Sequence, residues 1–238
     1  MRKGGMKGNL AEAKDGGEFT EPMRVQREVT LALIALNVFV FLIEPRLGDG
    51  TRGWFDARYS LSVAGFKAGY WWQLLTFQFL HGNWLHLGTN LVLLHSMGPV
   101  LETSLGRRRY LLLYMGSGAL GGLVQVGAAL AWPGHFSHAV VGASAGLCGL
   151  LGALGYLYAD DVVKGLLFFV IPFQVKAKVM LLLAGIISMV GTVLPFGRVA
   201  HFAHLGGLVG GLFVLQLMRV KALPPPDEAD RNGAPPSP

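Results

Sequence analysis

Long apolar stretches separated by short polar ones dominate the pattern of this chain. Six of them approach the roughly 20 residues that a helix needs to cross a bilayer. They are residues 29–43, 84–101, 110–132, 139–158, 179–194 (which extends back through Ala177) and 202–218. A further stretch, 165–173, is too short to span and contains Pro172, which predicts an interfacial segment. The loop from 44 to 73 carries Trp54, Phe55, Tyr59, Phe66, Tyr70, Trp71 and Trp72. So many aromatic residues suit a segment lying in the membrane interface. The expected fold is an all-α polytopic membrane protein, a bundle of six transmembrane helices. Residues 1–28 read as a cytoplasmic tail, 29–221 as the membrane domain with 44–73 as its interfacial first loop, and 222–238 as a disordered, Pro-rich tail. No separate soluble domain is expected. Nor is a signal peptide, because the first apolar stretch starts far into the chain and no small-residue cleavage site follows Ile43.

Composition agrees. Apolar residues make up 52% and charged residues 14% of the 238, with a mean hydropathy of +0.47. A soluble domain carries about 25% charged residues, and a disordered chain needs low hydrophobicity. Cys148 is the single cysteine, which excludes a disulfide framework and a Cys-based zinc site. The net charge of +6 has a different use from a basic binding patch. With the N-terminus taken as cytoplasmic, 15 Lys and Arg fall on the cytoplasmic side and 5 on the other. Both termini are therefore expected inside a multi-pass membrane protein, which suits a prokaryotic cell (inner) membrane. Glu102, close to Arg107–Arg109, is expected to cap or pin a cytoplasmic turn. No basic soluble domain exists, so no nucleic-acid partner is expected.

Glycine is concentrated late, with 19 of 34 between Gly116 and Gly211. Spacings such as Gly118/Gly122, Gly142/Gly146 and Gly207/Gly211 let helix backbones approach closely in lipid.

Polar side chains inside spans are costly and mark function by default. Span two carries His86, Asn90, His95 and Ser96, span four Ser144 and span six His204. Spans two, four and six all begin on the extracytoplasmic side. At 1.5 Å per residue, His86, Asn90, Ser144 and His204 fall within roughly 10 Å of the same membrane face. His86 and Asn90 are four apart and share a helix face. His81 and His201 lie just outside spans two and six; His81 reads as a group that supports the site or sits at its mouth, and His135, His138 and His201 read as loop residues. His95 and Cys148 read as structural.

A serine becomes a nucleophile when a base, usually histidine, takes its proton. Attack on a carbonyl then creates an oxyanion that needs donors. His86, the Asn90 amide and a backbone N–H near Ser144 are candidates, and the small residues of Gly142-Ala-Ser-Ala-Gly146 leave room for a substrate backbone. Between Ala57 and Pro226 the only acidic residues are Glu102, Asp160 and Asp161, all at cytoplasmic helix ends. A Ser-His-Asp triad, an aspartyl pair and a carboxylate-driven carrier all lack their acid in the spans, and Glu44, Asp49 and Asp56 of the first loop reach the site only by folding back, which favours a Ser–His dyad. His81-Gly-Asn-Trp-Leu-His86 has neither the Glu nor the spacing of a zinc-protease helix. No metal and no cofactor are expected.

Four motifs, in order, give the chain a family resemblance. They are His81-Gly-Asn-Trp-Leu-His86-Leu-Gly-Thr-Asn90, Gly98-Pro-Val-Leu-Glu102-Thr-Ser-Leu-Gly106-Arg, Gly142-Ala-Ser144-Ala-Gly146-Leu-Cys-Gly149 and Ala203-His204-Leu-Gly-Gly207-Leu-Val-Gly-Gly211. Over about 71–211 the sequence resembles the rhomboid family of intramembrane serine proteases. The resemblance implies a six-helix core with a water-accessible cavity, Ser144 as nucleophile, His204 as general base, and His86, Asn90 and the Ser144 N–H around the oxyanion. It also implies that Gly207 brings span six close to span four, that the aromatic first loop is membrane-embedded, and that span five is a lateral gate. Implied partners are the lipid bilayer and single-span or polytopic membrane-protein substrates. Two positions depart from the family pattern. Ala145 stands where Gly commonly follows the serine, and Trp72-Gln73 replaces a Trp-Arg pair, which removes a possible anchor of the loop. The alternative reading is a catalytically weak or inactive relative that binds and chaperones membrane helices.

Overall fold

A computed structural model describes residues 25–44, 53–133, 139–167, 171–194 and 199–220. Its helices are α1 (Glu28–Ile43), α2 (Gly53–Tyr59), α3 (Val63–Lys67), α4 (Gln73–Thr76), α5 (Trp84–Leu105), α6 (Arg107–Ala131), α7 (Ser144–Leu157), α8 (Ala177–Val193) and α9 (His201–Leu217). A 3-10 turn covers Phe77–Phe79, and strands β1 (Val162–Leu167) and β2 (Ile171–Lys176) lie between α7 and α8. The six expected spans correspond to α1 and α5 to α9. Among the described residues, α6 alone meets both the length and the hydropathy expected of a membrane span; α1, α7, α8 and α9 are shorter apolar helices.

Three helices, α6, α7 and α9, form the centre of the bundle, and glycine is the reason they lie so close. A Cβ on Gly207 of α9 would fall inside the contact radius of the Ala145 carbonyl oxygen of α7. Gly211 meets the Gly149 carbonyl in the same way, and Gly121 of α6 faces the Ala203 carbonyl. The Ala203 N–H, one of the donors left open at the start of α9, reaches Gln125 Oε1 of α6 at 3.2 Å. Leu113, Tyr110, Tyr114, Leu150, Ala153 and Leu215 fill the neighbouring core.

Two elements differ from expectation. The fourth stretch is helical only from Ser144, because the backbone before it finds partners in the first loop. Leu61 and Val140 exchange N–H···O bonds of 3.0 and 2.8 Å, and the Gly142 N–H donates to the Phe77 carbonyl at 2.9 Å. The 165–173 stretch takes in the end of β1 and the start of β2, which pair antiparallel with Val162 opposite Lys176 and Leu167 opposite Ile171. The described residues are therefore helical with one small two-stranded sheet.

The first loop keeps an anchor without the arginine. Gln73 is fully buried; its Oε1 accepts from the Ser62 N–H at 3.2 Å and its Nε2 donates to the Ala57 carbonyl at 3.1 Å. Arg58 lies over the rings of Tyr70 and Trp72, at 4.4 and 4.9 Å from their centroids. A neutral amide inside and a cation–π contact outside thus hold the loop.

Of the two parts expected of Glu102, the structure shows the cap. It is fully buried and faces α1, not the arginines. Its carboxylate accepts from the N–H groups of Val29 and Thr30, each at 2.9 Å, and from Thr30 Oγ1 at 2.8 Å. Arg107 instead pairs with Glu28 at 2.7 Å. An acid at a helix N-terminus satisfies orphan donors and complements the dipole. Glu102→Ala leaves these donors buried without a partner, and a loss of about 3 kcal/mol is expected. Thermal unfolding in detergent reads it as a lowered midpoint, with part of the loss restored by Glu102→Gln.

Candidate active site

The N-terminal ends of α5, α7 and α9 converge on one cavity of about 710 Å³. Gly82, Asn83, His86, Thr89, Asn90, Ser144, Ala200 and His204 line it, with Leu93, Val140, Val141 and Val199 among the apolar walls. Each helix start has a local cause. Asn83 is extended and its side chain accepts the His86 N–H at 2.8 Å, which caps α5. Ser144 opens α7 directly after the extended stretch pinned by Phe77 and Leu61. His204 sits in the first turn of α9, and its N–H bonds to the Ala200 carbonyl at 3.1 Å.

Ser144 Oγ and His204 Nε2 are 2.7 Å apart. This separation suits proton transfer between hydroxyl and imidazole. Gly142 lies beside them with φ +122°, a backbone conformation that favours glycine. A Cβ there would stand 2.7 Å from His86 Nε2 and 3.7 Å from Ser144 Oγ, so imidazole and hydroxyl flank the same glycine. Asn90 is buried; its Nδ2 donates to the His86 carbonyl at 3.0 Å, which leaves the other amide hydrogen available toward the cavity. The four candidates from the sequence are thus brought together. Gly142→Ala is expected to lose most reactivity toward a serine-directed fluorophosphonate, because strain and collision with the His86 ring act at once; gel-based labelling checks it.

Other expectations shift. Ala145 is fully buried with Leu61, Phe77, Val126, Val140 and Ala203, and its methyl faces Gly121. It does not line the cavity, so it takes no space from a substrate. Cys148 lies outside the lining as well. His95 is exposed on α5 and has no place in the core. His81 is buried, and of its two expected places it takes the one behind the site: its ring meets the His86 ring edge-on at 5.1 Å. His201 is not a loop residue: it opens α9, is buried, and lies edge-on to His204 at 6.3 Å. Its spacing of three from His204 was the available signal, since such pairs share a helix face. Asn83 and Thr89 were also missed; Asn before an apolar helical run is a capping signal. His135 and His138 lie outside the described residues.

Among the described residues, the acidic groups placed by their contacts stay away from the serine–histidine pair. Glu102 is committed to α1, Asp160 and Asp161 lie beyond the far end of α7, and Glu44 is buried at the end of α1 outside the cavity lining. Among the described residues no cluster of three or more His, Cys, Asp or Glu side chains is arranged to hold a metal.

Comparison with known proteins agrees with the motifs. Residues 68–221 match the model of the Rhomboid domain family. The rhomboid-family protein YdcA of Bacillus subtilis is 31% identical over 197 residues, 81% of this chain and 89% of its own length. The rhomboid protease GluP of the same organism is 30% identical over 195 residues, 77% of this chain and 33% of that protein. Rhomboid-type serine protease 2 of Emericella nidulans is 32% identical over 143 residues, 60% of this chain and 26% of that protein. With these motifs, this cavity and a family match covering well over half its length, the chain belongs to the rhomboid family and is an integral membrane protein.

Proposed function

We propose that this protein is an intramembrane serine protease that cleaves peptide bonds in or near transmembrane segments of other membrane proteins, through a dyad of Ser144 and His204. The observation that carries the reading is the 2.7 Å separation of Ser144 Oγ and His204 Nε2 inside a partly polar cavity. Six spans, α1 and α5 to α9, with both termini cytoplasmic, and a prokaryotic inner membrane complete the reading, on the 15-to-5 sorting of Lys and Arg. The membrane domain then runs over 29–221, between the two tails.

In this mechanism His204 Nε2 takes the hydroxyl proton as Ser144 Oγ attacks the scissile carbonyl carbon. The carbonyl oxygen becomes the oxyanion. The Ser144 N–H is one of the open donors of the first turn of α7, and the His86 ring and the Asn90 amide add donors from α5. The positive ends of three helices reinforce them. His204 returns its proton to the leaving amine as the C–N bond breaks. A water entering through the cavity then loses a proton to His204 and hydrolyses the acyl-enzyme, restoring Ser144.

The alternative, a membrane-helix chaperone without activity, has Ala145 as its sequence support. The Ala145 methyl turned toward Gly121 weakens that support. The separating experiment is cleavage of a single-span reporter by purified protein in liposomes, with the cut mapped by mass spectrometry. A defined cut near a reporter span supports the protease; an intact reporter beside folded protein contradicts it. His86→Ala and Asn90→Ala are each expected to lower kcat by about 10²-fold with little change in KM, the signature of lost oxyanion stabilisation.

A further inference from the structure

Helix α6 has the Ser144 site at one end and a cluster of charge at the other. Trp132, at its C-terminal end, stacks on Phe202 in the first turn of α9, the turn that carries His204, with ring centroids 6.3 Å apart. Arg107, Arg108 and Arg109 open the same helix at its far end. A helix of 25 residues is roughly 37 Å long, which exceeds a hydrocarbon core of about 30 Å. The arginines therefore stand at the headgroup level of the leaflet opposite Ser144.

Gln26, Leu105, Gly106 and the three arginines line an open depression of about 490 Å³. Gln26 is held there from α5: its N–H donates to Thr103 Oγ1 at 2.9 Å, and the Thr103 hydroxyl donates back to its carbonyl at 3.4 Å. Gly106 leaves the floor bare, with nothing within 4 Å of where a Cβ would stand. Arg107 is already paired with Glu28 at 2.7 Å. Arg108 and Arg109 are exposed, and neither forms an ion pair with a described residue. Three successive guanidinium groups repel one another. They also stand at the positive end of α6, where cations are disfavoured and no side chain caps the open N–H groups. A bound anion relieves each of these costs, and the arginine fork matches phosphate oxygens two at a time. The arginines and the depression define the site; the helix end strengthens it. Leu111 and Leu112, three and four residues after Arg108 and so on its side of the helix, are exposed as well. Arginine above leucine on one stripe suits a molecule with a phosphate at headgroup depth and hydrocarbon beneath it.

We propose that this depression binds the phosphate of an anionic phospholipid, with Arg108 and Arg109 on its oxygens and an acyl chain along Leu111 and Leu112. Arg107 stays with Glu28 and adds charge from the rim. The headgroup ties Gln26, just before α1, to the turn between α5 and α6, so a bound lipid stabilises the end of the bundle away from Ser144. Inorganic phosphate offers the same oxygens but nothing for the two leucines. The inference rests on α6 crossing the membrane and not on any reaction at Ser144, so it stands or falls separately from proteolysis.

The test titrates dioctanoyl phosphatidylglycerol onto the delipidated full chain in a non-ionic detergent and counts bound lipid by native mass spectrometry. Dioctanoyl phosphatidylcholine and inorganic phosphate are the comparison probes. The parent is expected to prefer phosphatidylglycerol to phosphatidylcholine and to gain thermal midpoint with it. Arg108→Gln and Arg109→Gln are each expected to weaken phosphatidylglycerol binding by about tenfold, the scale of a lost charge-assisted hydrogen bond, while keeping the parent's midpoint without lipid. Arg108→Lys keeps the charge and loses the fork, and a smaller weakening is expected. Arg219→Gln removes an exposed cation just past the end of α9, on the same face, and is expected to change nothing. Equal affinity in the parent and both glutamine variants would overturn the proposal, and so would an equal loss in Arg219→Gln, which means general attraction to charge. Displacement of the lipid by an equal concentration of inorganic phosphate would overturn the lipid as occupant. Binding gained only after Asp227→Asn, Glu228→Gln and Asp230→Asn would give the depression to the acidic C-terminal tail instead.

Discussion

Ser144→Ala and His204→Ala are each expected to lower cleavage of a single-span reporter by about 10⁴-fold or more, and the double variant to be no worse than either single one. The non-additivity follows from geometry. The hydroxyl and the imidazole nitrogen are 2.7 Å apart and act as one proton-transferring unit, so removing either removes the activated nucleophile. Neither change disturbs the helix contacts, which rest on glycine backbones rather than on these side chains. The thermal midpoints of both variants are therefore expected to stay close to the parent. Initial rates at saturating reporter, read beside thermal unfolding, check both halves. Independent, multiplying losses in the double variant would mean that the two residues work in separate steps.

The second large effect is expected from Gly207→Val. The added Cβ meets the Ala145 carbonyl, which is helix backbone and cannot swing away as a side chain does. Helix α9 must move off α7, the two elements that carry His204 and Ser144. Overpacking at such a contact costs about 3 kcal/mol, and fluorophosphonate labelling is expected to fall with stability. Gly185→Val is the control: Gly185 lies on α8 with nothing within 4 Å of its Cβ position, so the same substitution there is expected to leave both readings unchanged. Equal tolerance at the two positions would mean that close approach of α7 and α9 is not what holds the dyad.

Much of this architecture was legible in the chain. The four cavity residues were found because polar side chains are scarce in apolar helices and because three helix starts fall at one depth. Glycine spacing indicated close packing, though not that Gly118 makes room for the Gln78 side chain while Gly207 meets backbone. What escaped depended on long-range pairing. Nothing local in 139–143 says that Val140 bonds to Leu61, 79 positions away, in place of continuing a helix. Glu102 sits five residues from an arginine run, and proximity in sequence pointed there. The buried donors of α1 are the stronger claim on a carboxylate, because an unpaired N–H inside costs more than an exposed ion pair contributes. The apolar pattern starts at Phe202 and so leaves His201 in a loop, whereas the helix begins one residue earlier; boundaries are the weakest part of any sequence pattern. The loss of the loop arginine suggested a missing anchor, but anchoring needs hydrogen bonds in a buried place more than it needs charge, and Gln73 supplies them.

The most direct measurement of the central claim is mass-spectrometric mapping of a fluorophosphonate adduct on the protein in liposomes. The dyad predicts one adduct, on Ser144, formed by the parent and by Cys148→Ala but lost in His204→Ala. An adduct at another residue, or labelling of Ser144 that persists undiminished without His204, would contradict it.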